Sequence, residues 1–180
     1  MPNWTSNCLS VEGNEQEVQG FINKVTTEGN DTYSILNTLL PTPTELYEGD
    51  GWYDWNISNW GTKWQDSDTV LVIRDKDYVF FRFDTAWAPP LVGFESISVM
   101  FPELTFVLTY QEMGMGFVGC AGYLNGAQAH VEREDISIPE ETEDDDLMDV
   151  MYSTYLDLAD ECEAVVRQEM NIPSPLAKTL

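Results

Sequence analysis

The chain has 180 residues, 43% of them hydrophobic and 12% aromatic, enough apolar surface to offset the entropy of ordering a core. It carries 32 acidic against 8 basic residues, a formal net charge of −24. Such a surface repels nucleic acid and anionic membrane, so direct binding to either is disfavoured, and it attracts basic proteins or cations.

Met1 to Asn7 show neither the basic run nor the apolar stretch of a secretory leader, and no segment approaches the ~20 apolar residues of a membrane span. Three cysteines, Cys8, Cys120 and Cys162, are odd in number and widely spaced, which gives no disulfide framework and no zinc pattern. The expectation is a cytoplasmic protein without a metal or cofactor.

Residues 7–13 alternate apolar and polar side chains, as a half-buried strand does. Asn14 then caps a helix to about Thr27, with Val18, Phe21, Ile22 and Val25 as its apolar stripe, and Gly29-Asn30-Asp31 ends it. Residues 30–68 read as an irregular insert, broken by Pro41, Pro43, Gly49, Gly51 and Gly61, yet holding four of the six tryptophans with Tyr47 and Tyr53. So aromatic a loop must pack onto the domain or build a site. Residues 69–73 and 78–84 are strands around the turn Arg74-Asp75-Lys76-Asp77, the second placing Val79, Phe81 and Phe83 on one face. After Pro89-Pro90 a short helix lies within residues 91–101. Residues 104–110, 117–123 and 127–132 form three more strands, the last two joined at Leu124-Asn125-Gly126, a hairpin signal.

Without the insert and the extra hairpin, this order is βαββαβ. The expected fold class is α+β: a ferredoxin-like antiparallel sheet with helices on one face. Residues 1–134 make this domain. Residues 135–180 add an acidic hinge at 138–146 and one long helix over 144–170, stopped by Asn171-Ile172-Pro173. Leu147, Met151, Tyr155, Leu158, Cys162, Val165 and Val166 form its apolar stripe, with Asp149, Asp157, Asp160, Glu161 and Glu163 on the other side.

Pro2-Asn3-Trp4 with Asn7 and Gly13, Asn59-Trp60-Gly61-Thr62-Lys63-Trp64, Phe83-Asp84-Thr85-Ala86-Trp87-Ala88-Pro89-Pro90 and Phe101-Pro102-Glu103-Leu104 resemble the family of the plasmid protein YubB and its Api-like phage relatives. The resemblance spans about residues 1–133. It implies a ferredoxin-like fold and a mobile-element origin, and no established activity.

The leading functional expectation joins that origin to the charge. Residues 135–180 hold 13 acids and 2 bases. Carboxylates three or four residues apart on a helix lie ~6 Å apart, close to the spacing of successive phosphates. Glu140, Glu141, Glu143, Asp144, Asp145, Asp146, Asp149, Asp157, Asp160, Glu161 and Glu163 would then imitate nucleic acid and block a basic host nucleic-acid-binding defence machine, of anti-CRISPR or anti-restriction type. The plainer reading is a solvated helix that aids solubility. The apolar stripe needs cover from the domain, from the partner, or from a second copy in a homodimer.

The alternative is a small-ligand module, for instance one sequestering a nucleotide signal. Its site would be the aromatic insert: Trp52, Trp55, Asn59, Trp60, Thr62, Lys63 and Trp64, with Trp87. Indoles suit planar ligands and Lys63 supplies a cation. The competing reading is that these tryptophans only fix the insert to the sheet. Catalytic residues are not expected: His130 is the only histidine and lacks a local signature for a nucleophilic system. Asp144-Asp145-Asp146 lacks the alternating ligands of a calcium loop.

Overall fold

The computed structural model describes residues 3–27, 32–134, 136 and 144–173, with the backbone alone described for 144–148. The chain opens with β1 (Trp4–Glu12), whose Leu9 and Val11 are buried. Helix α1 (Glu15–Val25) starts where Asn14 Oδ1 accepts the Glu17 N–H at 3.1 Å, and the carboxylates of Glu15 and Glu17 favour its positive end. Its buried residues are Val18, Phe21, Ile22 and Val25, the stripe expected from their spacing. The expected stop at residues 29–31 lies outside the described residues.

The insert is more regular than its sequence suggests. It contains α2 (Leu36–Leu39), a 3-10 turn (Thr44–Glu48) and α3 (Gly51–Asn59). The reason is non-local. Buried Asp66 accepts the N–H groups of Ile35 at 2.9 Å and Leu36 at 2.7 Å, so a distant carboxylate satisfies donors that no neighbour in sequence reaches.

Strands β2 (Ser67–Arg74) and β3 (Tyr78–Ala86) follow as a hairpin, then α4 (Leu91–Met100), β4 (Thr105–Glu112), β5 (Phe117–Leu124) and β6 (Ala127–Arg133). Asn125 and Gly126 turn the last hairpin with φ of 48° and 79°, the left-handed pair that a tight two-residue connection needs. The sheet order is β2-β3-β1-β4-β5-β6, antiparallel throughout. Its first four strands have the split βαβ order of a ferredoxin-like domain, and the β5-β6 hairpin widens the sheet beyond β4. At the opposite end β2 is an edge strand with Val70, Val72 and Ile73 exposed, its pairing to β3 interrupted by two register shifts.

Helices α1 and α4 cover one face. The Phe21 ring meets Phe81, Phe101 and Phe106 edge-on at 6.1, 5.3 and 5.5 Å, and Phe94 packs against Phe83, Phe106 and Tyr123. The sequence expects the helices of the ferredoxin-like domain on one face and leaves open what covers the long C-terminal helix. Helix α5 (Asp144–Glu169) lies across the other face, where Cys162 and Val166 pack on Val107 and Cys120. It settles close because Gly122 has no side chain: a Cβ there would stand 2.7 Å from Val166 Cγ1. Cys162 and Val166 of the stripe are therefore covered by the chain's own sheet.

Two members of the expected helix pattern are misplaced. Val165 is exposed. Glu163 turns inward to Arg167 (2.5 Å), which also pairs with buried Glu12 of β1 at 2.9 Å. A guanidinium 7% exposed needs both partners, so Glu163 serves the docking of α5. Among the described residues no helix is long and apolar enough to cross a membrane.

Candidate binding site

Three segments distant in sequence meet at one end of the sheet. The first is the start of β1, where Trp4 pairs in register with Ala86. The second is the turn after α3. There Gly61 reverses the chain with φ of 86°, buried Thr62 donates to Ala86 O at 2.8 Å, and Asn56 donates to Lys63 O at 2.9 Å. The third is the exit of β3, where Trp87 takes φ of 70°, a strained conformation for a bulky side chain. Its backbone is held by the Trp87 N–H to Asn3 O at 2.9 Å and by Thr85 Oγ1 to Ala88 O at 2.8 Å.

These anchors present four rings to solvent: Trp4 is 41% exposed, Tyr53 38%, Trp64 37% and Trp87 40%. Between them sits Lys63, whose Nζ lies 4.6 Å from the Trp87 ring centre, 4.8 Å from Trp64 and 5.8 Å from Tyr53. Trp4 and Trp64 lie 6.1 Å apart. Among the described residues no carboxylate lies within ion-pair distance of Lys63, in a chain with 32 acids. Beside Trp64 opens a cleft of about 390 Å³ lined by Tyr47, Trp52, Asn56, Trp60, Trp64 and Gln65. Tyr47 and Trp52 stack at 6.4 Å to form one wall.

The residues expected in this site divide into two groups. Lys63, Trp64, Trp87 and Trp52 reach the surface cluster or the cleft. Trp60, 1% exposed, sends its indole N–H to Leu40 O at 2.9 Å and packs edge-on against Trp55 at 5.7 Å. Thr62 is buried, and the Asn59 amide turns back to Trp55 O at 2.8 Å. Trp55, Asn59, Trp60 and Thr62 hold the site without lining the Lys63 cluster; Trp60 reaches only the cleft floor. Trp4 and Gln65 stand outside the expected site, and Tyr47 and Tyr53 belong to the aromatic insert that the sequence singles out without being among its expected ligand residues. Trp4 arrives through strand pairing, for which its own sequence position carries no signal.

The acidic residues are scattered by comparison. Glu140, Glu141 and Glu143 lie outside the described residues, as do the side chains of Asp144, Asp145 and Asp146. Asp149, Asp157, Asp160 and Glu161 are exposed on α5, and Glu161 is 3.4 Å from Arg133. Eight residues of helix separate Asp149 from Asp157, about 12 Å at ~1.5 Å per residue. Exposed Tyr152 and Leu156 intervene.

Between α5 and the uncovered half of the sheet runs a groove of about 340 Å³, lined in part by Cys8, Arg82, Asp84, Tyr152 and Leu156. Burial pushes the Asp84 carboxyl up from its ordinary value, the Ser6 hydroxyl pulls it down, and the like charge of Asp68 adds to the rise. All three thiols are also pushed up, chiefly by burial, which keeps them protonated and weakly nucleophilic. His130 Nε2 lies 2.6 Å from the Tyr110 hydroxyl, which donates to Glu132 at 2.6 Å. Among the described residues no three His, Cys, Asp or Glu side chains gather as a metal site.

The strand order, the helix pair on one face and the aromatic end of the sheet define a ferredoxin-like α+β domain with an elaborated edge. The chain belongs to the family described as the ferredoxin-like domain in Api92-like protein, whose model matches residues 59–153. Among solved structures it is similar to protein Api92 from Yersinia pseudotuberculosis, with 20% identity and a TM-score of 0.41 over 48% of this chain. The similarity spans 31% of that protein's length. No curated protein matches the chain.

Proposed function

We propose that this protein is a binding module rather than an enzyme, and that it takes a small ligand at the Lys63 aromatic cluster. One observation carries the reading: exposed Trp4, Trp64 and Trp87, from three separate segments, converge around half-buried Lys63 on a tightly bonded frame. Folding favours burying indoles, and Trp60 shows that this chain can do so. Rings left at the surface around an ammonium that no carboxylate among the described residues pairs are suited to recognition. The test is retention of small molecules. Protein incubated with a bacterial metabolite extract, washed and denatured should release a compound that Trp64→Ala and Lys63→Ala do not retain. Identical release from all three rejects the reading.

A second reading retains the acidic surface. Asp149, Asp157, Asp160 and Glu161 point to solvent from a helix whose opposite face is fixed to the sheet, a rigid display suited to a basic partner. Such a protein would inhibit a host nucleic-acid-binding defence effector by mimicry. The 12 Å gap makes the row a poor copy of ~6 Å phosphate spacing, so it stands second. Reversing the four charges should abolish inhibition of a basic nuclease and spare the fold. Full inhibition by the variant removes this reading.

A further inference from the structure

We infer that the ligand of this site is a planar aromatic ring carrying a single phosphate, the chemistry of a nucleoside monophosphate. The inference rests on the small-ligand reading above and specifies its chemistry from two adjoining features that share Trp64.

The first is the cleft. Its volume of about 390 Å³ lies at the small end of ligand pockets, the size for one ring system with a short substituent. Stacked Tyr47 and Trp52 form one wall and Trp64 stands among the others, so flat π faces line it. The amides in the lining differ in availability. Asn56 is committed, donating to Lys63 O and accepting from Thr42 at 2.6 Å. Gln65 is exposed at the rim, where its amide can both donate to and accept from a ring edge.

The second feature is Lys63. Its ammonium has three donors, and rings are the neighbours that hold it. Ring faces polarise toward a cation without accepting its hydrogen bonds as an oxygen does, so the donors remain available to an anion. Lys63 lies 4.8 Å from the centre of the Trp64 ring that also lines the cleft. A ring seated against Trp64 thus brings a phosphate on a sugar-length arm within reach of Lys63.

The charge of the molecule sets the number of phosphates. One lysine faces the ligand, while the whole chain carries a net −24. Among the described residues Lys63 is the cation over these rings, and each further phosphate adds repulsion from that field, so a monophosphate should bind more tightly than a triphosphate at low salt.

The experiment titrates the full chain with AMP, GMP, CMP and UMP, with adenosine, ribose 5-phosphate and ATP as comparison probes. Calorimetry is the readout, since nucleotides absorb where tryptophan does. At least one monophosphate should bind saturably, and ribose 5-phosphate, lacking the ring, should bind more weakly. Its nucleoside and its triphosphate should also bind more weakly. Trp64→Ala should weaken binding by about tenfold or more, as expected for a lost base–aromatic stack. Lys63→Ala should weaken it about tenfold and erase the preference over the nucleoside, with Lys63→Arg restoring much of it. Circular dichroism of each variant confirms that it remains folded.

The inference is overturned if no monophosphate binds the wild-type chain, if the nucleoside binds as tightly as its phosphate, or if both alanine variants bind normally. Its failure is separable from that of the broader reading. A retained metabolite that lacks a ring or a phosphate sinks the inference alone, whereas an extract from which nothing is retained sinks both.

Discussion

Trp60 is 1% exposed with its indole N–H bonded to Leu40 O, whereas Trp64, four residues on, keeps 37% of its surface in water. Trp60→Ala should therefore cost roughly 3–5 kcal/mol, the range for a buried aromatic, and Trp64→Ala should stay within about 1 kcal/mol. Urea denaturation of the two variants checks this, and equal losses would refute the division between frame and site. Asp84 allows a pH test. Burial raises its carboxyl in the folded state, so the native chain holds this proton to higher pH than the unfolded chain does. Its contribution to stability is then lost as pH rises from the ordinary carboxylate value through the raised one. Asp84→Asn should gain stability relative to wild type as pH goes from about 4 to about 7, measured as a widening gap between urea midpoints. A constant gap would exclude Asp84 as the titrating group.

At the scale of elements, α5 depends on a bare patch of sheet. Gly122→Val would put side-chain atoms where Met170 and Val166 now lie, so α5 should lose hydrogen-exchange protection while β1 and β3 keep theirs. Retained protection in α5 would show that the sheet can yield. Local order was largely legible in the sequence: Asn14 capped its helix, Val79, Phe81 and Phe83 alternated as a buried strand face, and Asn125-Gly126 marked its turn. Each signal lies within a few residues of the structure it sets. What was not legible depends on residues far apart. Asp66 caps α2 from across the insert, and Arg167 reaches Glu12 of β1 from the last turn of α5. Helical spacing placed Glu163 with the exposed acids, and it could not foresee the buried guanidinium that turns it inward. The site was half legible for the same reason. Tryptophan content pointed to the insert, but which indoles face water is decided by β1 and β3, which bring Trp4 and Trp87 alongside Trp64.

For the molecule as a whole, 32 acids against 8 bases mean that folding gathers like charges into a smaller volume. Salt screens that repulsion, with a Debye length that falls from roughly 30 Å at 0.01 M to roughly 8 Å at 0.15 M. The melting temperature should therefore rise with sodium chloride over this range. A fall would mean that the few ion pairs, such as Arg133 with Glu161, outweigh the self-repulsion.

The same charge has a colloidal role at the β2 edge. Val70, Val72 and Ile73 border a row of backbone groups that no further strand among the described residues occupies, a template on which another chain could add. Two register shifts roughen this edge, but mutual repulsion does most to keep copies apart at neutral pH. Near the isoelectric point of about 4.1 that repulsion vanishes while the edge remains. Acidification should then drive strand-to-strand growth into assemblies that light scattering detects, and Val72→Lys should delay it by carrying a charge that persists in acid. If both chains aggregate alike, growth starts elsewhere on the surface.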